Sequence, residues 1–302
     1  MTEQGRPLYE LHAEQATAEE LQLLKEHEPL VPFNIVGALE AGLSTGRQSR
    51  VSILEYDQRG EQYRVLWKRM AAGKGLDASE AARLDSRLEP YRGSLERGGW
   101  HVPQLYHHQV SRLSGENQIF SYEQYISGGD GEKMLQDPTQ PNFRKWFLIE
   151  EVVRTLYSYP DSEVQRTALR GQTLTKLPHG LDLKLANVVL SDVDDRLYFV
   201  DLFCPKELDE AGNWLTFSSK LDSLKPEALM AICASREGSL LRCWRLAEKT
   251  WNNGYQDVTT LRQDFLHHLG RMGLPSIELD FITQEINSGY PWLDSVYQER
   301  NV

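Results

Sequence analysis

The chain has 302 residues, of which 40% are hydrophobic and 25% charged, and its formal net charge is −11. A length like this buries a sizeable core in one large domain or two lobes, and the acidic balance argues against a main partner that is nucleic acid or an anionic membrane. Cys204, Cys233 and Cys243 form no CxxC pair, and no apolar run reaches membrane length, so the expectation is a soluble cytoplasmic protein with no disulfide framework, zinc site or membrane partner.

In chain order, "TAEELQLLKEHE" (17–28) predicts a short helix, opened by Thr17 with Glu20 at capping-box spacing and ended by Pro29 and Pro32. A β-rich run at 33–39 precedes a loop with Gly37, Gly42 and Gly46. Two more, 51–56 and 62–70, flank the turn "DQRG", and the three read as an antiparallel meander. Residues 78–97 predict a helix bent at Pro90. A further β pair is expected near 104–112 and 118–126, turned by "SGENQ". The glycine-rich "ISGGDGEK" (126–133) marks the boundary between a first lobe, 1–126, and a second, 127–302. Beyond it, Phe143, Trp146, Phe147, Ile149, Val152, Val153 and Leu156 recur at helical spacing and predict a buried helix. After residue 215 the pattern is helical almost to the end, so one β-like pair at 187–202 stands alone among helices.

That pair carries the chemistry. Asp182 and Asn187 lie five residues apart in a loop leading into "NVVL"; the turn "SDVDDR" reverses the chain and "LYFVDLF" returns beside it. The hairpin over 179–203 brings Asn187 near Asp201. A carboxylate and an amide oxygen on rigid backbone are hard donors suited to Mg2+, with phosphate oxygens completing its shell. Asp182 is placed to accept a proton from a hydroxyl. The acidic run "DVDD" (192–195) sits in the turn and reads as solvated.

This arrangement resembles the catalytic loop and metal-binding segment of the protein-kinase-like fold, which includes aminoglycoside and choline phosphotransferases. There, His-x-Asp is followed by Asn five residues after the Asp, then by an Asp after a β-hairpin. Upstream motifs keep the same order: "GLSTGRQSRV" (42–51) stands where that family has its phosphate-covering glycine loop, and "RVLWKRM" puts Lys68 on the third strand. "FSYEQYISGGD" (120–130) is similar to the strand and hinge that bind adenine, here through backbone groups of Glu123 and Tyr125. The order holds over about residues 33–205.

The resemblance implies an α+β, two-lobed fold, with ATP and Mg2+ as cofactors and a small-molecule acceptor. Gly42, Gly46 and Lys68 would meet the nucleotide phosphates, Asp182 would orient and deprotonate the acceptor, Lys184 would neutralise the transferring phosphoryl group, and Asn187 and Asp201 would hold the metal. The family locks its lysine with a helical glutamate; Glu80 and Glu89 are both candidates, Glu89 nearer the expected distance but directly before Pro90.

The pattern also departs from the family. His179 lies three residues before Asp182 instead of two, so packing is as good a reading of it as chemistry. The glycine loop lacks G-x-G-x-x-G, "DLF" stands where protein kinases have Asp-Phe-Gly, and Lys68 alone also fits a lysine snorkelling at a sheet edge. Two other classes stay open: an atypical protein kinase, and a pseudokinase-type scaffold that binds nucleotide without transfer.

Overall fold

The computed structural model describes residues 34–39, 49–58, 61–71, 75–113, 115–251 and 257–299. The helix expected at 17–28 and the loop with Gly42 and Gly46 lie outside the described residues. The fold is mixed α+β and divides into two compact units, Met1–Glu89 with Pro103–Ile126, and Pro90–Val102 with Ser127–Val302.

The first unit is built on a five-stranded antiparallel sheet: β1 (Asn34–Leu39), β2 (Ser49–Gln58), β3 (Glu61–Met70), β4 (Leu105–Leu113) and β5 (Glu116–Gln124). The spatial order is β1-β2-β3-β5-β4, so the meander and the second β pair join where β3 meets β5. Interior strand β5 is buried from Gln118 through Glu123, on both faces, whereas edge strand β4 is mostly half-buried. Trp67 stacks on Phe120 across the β3–β5 seam, with ring centroids 5.8 Å apart.

The single helix expected at 78–97 is two: α1 (Ala78–Asp85) and α2 (Leu88–Arg97). The break falls at Ser86–Arg87, before Pro90. Pro90 sits in the first turn of α2, where its missing N–H would have had no helical acceptor, so the proline starts a helix here instead of bending one. The side chain of Asp77 caps α1 by accepting from the Glu80 N–H at 2.7 Å.

In the second unit, α3 (Gly131–Gln136) and α4 (Asn142–Leu156) precede a hairpin, β6 (Gln165–Leu169) and β7 (Gln172–Lys176), absent from the sequence reading. Arg170 and Gly171 join its strands with φ of 52° and 75°, the left-handed pair that a two-residue hairpin turn requires. A 3-10 turn (Leu185–Asn187) leads into β8 (Val188–Leu190), which pairs antiparallel with β9 (Leu197–Phe199). Five helices follow: α5 (Pro226–Cys233), α6 (Arg236–Thr250), α7 (Val258–Arg271), α8 (Ser276–Asn287) and α9 (Pro291–Tyr297).

Helix α4 buries a narrower stripe than its periodicity predicts. Leu148, Ile149, Val152, Val153 and Leu156 enter the core, but Phe143 is 72% exposed and Phe147 lies on the outer edge. Lys145 is buried instead, its ammonium donating to the Leu135 carbonyl at 2.9 Å. That bond closes the turn between α3 and α4 and removes the cost of burying the lysine unpaired. The core spans α4, the β8–β9 hairpin and α5 to α9, with Trp100, Trp244 and Trp251 fully buried.

Candidate functional site

In the second unit the loop before β8 is pinned on three sides. Tyr91 of α2 donates its hydroxyl to the Gly180 carbonyl at 2.9 Å, Gly180 N–H donates to Lys206 O, and Leu181 N–H donates to Cys233 O. A Cβ on Gly180 would come within 2.7 Å of the Trp214 ring and 2.9 Å of the Lys206 side chain, so glycine is required for this close approach. The pinned loop presents Asp182 next.

Both carboxylate oxygens of Asp182 meet cations. Lys184 Nζ donates to Oδ2 at 2.8 Å, and the Arg242 guanidinium of α6 lies against Oδ1. Burial by itself would raise the Asp182 carboxyl, but Arg242 and then Lys184 outweigh it and hold the group well below the usual carboxylate range. Arg242 also reaches the Cys233 sulfur at 3.2 Å, and its guanidinium is nearly enclosed. Burial raises the Cys233 thiol, which keeps it protonated and unreactive beside this cation.

Asn187 is oriented by the same loop. Its Nδ2 donates to the Asp182 carbonyl at 2.8 Å, which leaves Oδ1 as the acceptor end of the amide. The backbone continues the β8–β9 ladder by one step, Val200 N–H donating to Asn187 O at 2.9 Å, so Asp201 follows directly after Asn187's cross-strand neighbour. The Asp201 carboxylate accepts from the Phe203 N–H at 3.3 Å. An amide oxygen and a carboxylate on adjacent rigid segments fit the hard-oxygen donor set of Mg2+, an ion that takes few protein ligands and completes its shell with phosphate and water. Among the described residues no cluster of three or more His, Cys, Asp or Glu forms a metal site.

His179 is buried against Tyr91 and Tyr159, its Nε2 paired with the Tyr159 hydroxyl at 2.9 Å. Burial, helped by Arg97, pushes its pKa down to about 3, so the imidazole is neutral. It packs the base of the loop. Asp192, Asp194 and Asp195 stay in the solvent-facing turn, with the Asp194 carboxylate accepting from the Arg196 N–H at 3.2 Å.

The first unit holds Lys68. This residue, 7% exposed, donates its ammonium to Glu123 Oε2 at 2.5 Å, and Ser121 Oγ donates to the other carboxylate oxygen at 2.8 Å. A strand thus supplies Lys68 with a carboxylate: cross-strand register fixes the β3–β5 pair, while Glu80 and Glu89, the expected partners, stand in the first turns of α1 and α2. The backbone of Glu123, expected to meet adenine, belongs to β5. The residue is in register with Leu66 on one side and Leu105 on the other, so its backbone lies inside the ladder. Tyr125, just past the end of β5, has the Arg64 guanidinium 5.7 Å over its ring.

The chain is similar to two variants of the Mycobacterium tuberculosis PknI kinase domain. The singly substituted one gives a TM-score of 0.41 at 14% identity, covering 77% of this chain and 81% of that one. The doubly substituted one gives 0.44 at 13% identity, covering 88% and 94%. No protein-family model and no curated protein matches the chain.

Sequence reasoning thus named Asp182, Lys184, Asn187 and Asp201, which the loop and hairpin gather in one unit, and Lys68, which sits in the other. It missed Arg242, 60 residues beyond Asp182 on a helix, because a lone arginine in an amphipathic helix carries no local signal.

Proposed function

We propose that the chain is an ATP- and Mg2+-dependent phosphotransferase acting on a small-molecule hydroxyl, in the manner of protein-kinase-like enzymes. One observation carries this reading: Asp182 is kept ionised by two cations while its own carbonyl orients Asn187 next to the Asp201 segment. A carboxylate that stays charged accepts a hydrogen bond from an alcohol, aligns its oxygen, and takes the proton as the new bond to the γ-phosphorus forms and the bond from that phosphorus to the bridging oxygen of the departing ADP breaks. Asn187 and Asp201 would hold Mg2+, which supplies charge neutralisation to the phosphates when bound. Lys184, more than a third exposed, is free to follow the transferring group, whereas Arg242 is enclosed and serves to hold Asp182 in place. Lys68 would meet the nucleotide phosphates.

The second reading is a nucleotide-binding scaffold, and the double capping of Asp182 favours it, since a carboxylate engaged at both oxygens must yield one to an acceptor. Calorimetric titration of ATP with and without Mg2+ tests the shared premise. Binding that depends on Mg2+ supports the metal pair and calls for an acceptor screen by phosphate-transfer assay. Absence of binding in both conditions removes both readings.

A further inference from the structure

The row of side chains around Lys68 runs across three strands. Lys68 of β3 stands opposite Ser121 of β5, and Ser121 stands opposite His108 of β4, so all three share one sheet face. Glu123, two residues along β5 from Ser121, lies on that face as the diagonal neighbour of Lys68 and is fully buried. Its two oxygens take the Lys68 ammonium and the Ser121 hydroxyl. The last residue of α1, Asp85, is committed elsewhere: its carboxylate holds His108 Nδ1 at 2.7 Å.

We propose that Glu123 is a positioning residue for Lys68, so that a neighbouring strand sets the ammonium that would meet nucleotide phosphates. The inference rests on the nucleotide-binding reading above. Its physical basis is that β3 and β5 are neighbouring strands whose register fixes the distance between the two side chains. A helical partner can swing away with its helix; the backbone of a cross-strand partner is held in the ladder, so only a change of its side-chain rotamer releases the lysine. Ser121 completes the device by holding the second carboxylate oxygen, which leaves Glu123 a single rotamer to offer the lysine. Lysine positioning is then a property of the folded sheet, present before any ligand arrives.

The test is titration of Mg-ATP and, separately, of adenosine into the full chain and its variants. Glu123→Gln should weaken Mg-ATP at least tenfold and leave adenosine within twofold, because only the phosphates meet Lys68. Lys68→Met should show the same split, and Lys68→Met/Glu123→Gln should bind no more weakly than Lys68→Met alone, since the two residues act as one unit. Asp85→Asn should stay within twofold for both ligands. If Glu123→Gln does not fold, Glu123→Asp carries the same test, with an expected threefold or greater loss for Mg-ATP alone. Unchanged Mg-ATP affinity, equal losses for ATP and adenosine, or a loss confined to Glu89→Gln would each overturn the proposal while wild-type binding leaves the nucleotide reading standing. A wild-type chain that binds neither ligand overturns both.

Discussion

Lys68 in the first unit and Asp182 in the second are charged groups held in place in different ways. In the sheet, Lys68 and Glu123 form a buried pair, with both partners on neighbouring strands. In the loop, Asp182 is a quarter exposed and is shared between Lys184, two residues away, and Arg242, drawn from a distant helix. A buried pair holds one geometry and tolerates no missing partner, because the remaining charge is left in a poor solvent. A shared, partly wet carboxylate keeps its charge when one partner moves. The first arrangement suits holding a ligand, the second suits a group that must exchange partners during a reaction.

Removing the chemistry is the strongest way to break this comparison. Asp182→Asn should lower phosphate transfer by roughly 10²–10⁴-fold, the range for a positioned general base, while Mg-ATP affinity stays near wild type. Turnover at the wild-type rate would take Asp182 out of the mechanism. Next comes the contrast in stability, read from denaturant unfolding. Glu123→Gln takes the carboxylate from a buried ammonium and should cost about 3–5 kcal/mol. Arg242→Gln leaves Asp182 with Lys184 and access to water, and should cost less, about 1–3 kcal/mol. Equal losses would mean that the two groups do not differ as described.

His179 sharpens the loop side of the comparison through pH. Its folded pKa of about 3 lies below the ordinary value near 6.5, so below that pH the unfolded chain binds the extra proton and the fold does not. Stability should therefore fall as pH drops, by about 2 kcal/mol between neutrality and pH 5, and His179→Gln should flatten that slope. The smallest effect belongs to Lys184→Gln: an exposed partner should contribute about 0–1 kcal/mol to stability, so a larger loss would place it among the buried charges.

Much of the candidate site was legible because it is local. Asp182, Asn187 and Asp201 lie within one loop and one hairpin, and hairpin register alone predicts that Asn187 and Asp201 become neighbours. Lys68 was legible as a lysine on a strand, but its pairing with the Glu123 side chain was not: that contact depends on β5 lying beside β3, with Glu123 buried on the face that Lys68 shares. Hairpin β6–β7 was readable in principle from "LRGQ", whose glycine permits the two-residue turn, yet its strands carry no apolar alternation strong enough to announce them. The periodicity of α4 overstated its buried face because spacing marks which residues share a side of a helix and not how far the neighbouring elements wrap around it.

The sequence by itself determined the strands of the first unit and the β8–β9 pair, the Asp182–Asn187–Asp201 spacing, and the lysine on the third strand, because these follow from short-range periodicity and turn chemistry. Only the tertiary structure decided the partners: Arg242 for Asp182, Glu123 for Lys68, Tyr159 for His179. Charge partners are chosen by which surfaces pack together and how much water remains between them, and neither quantity is written in any one stretch of chain.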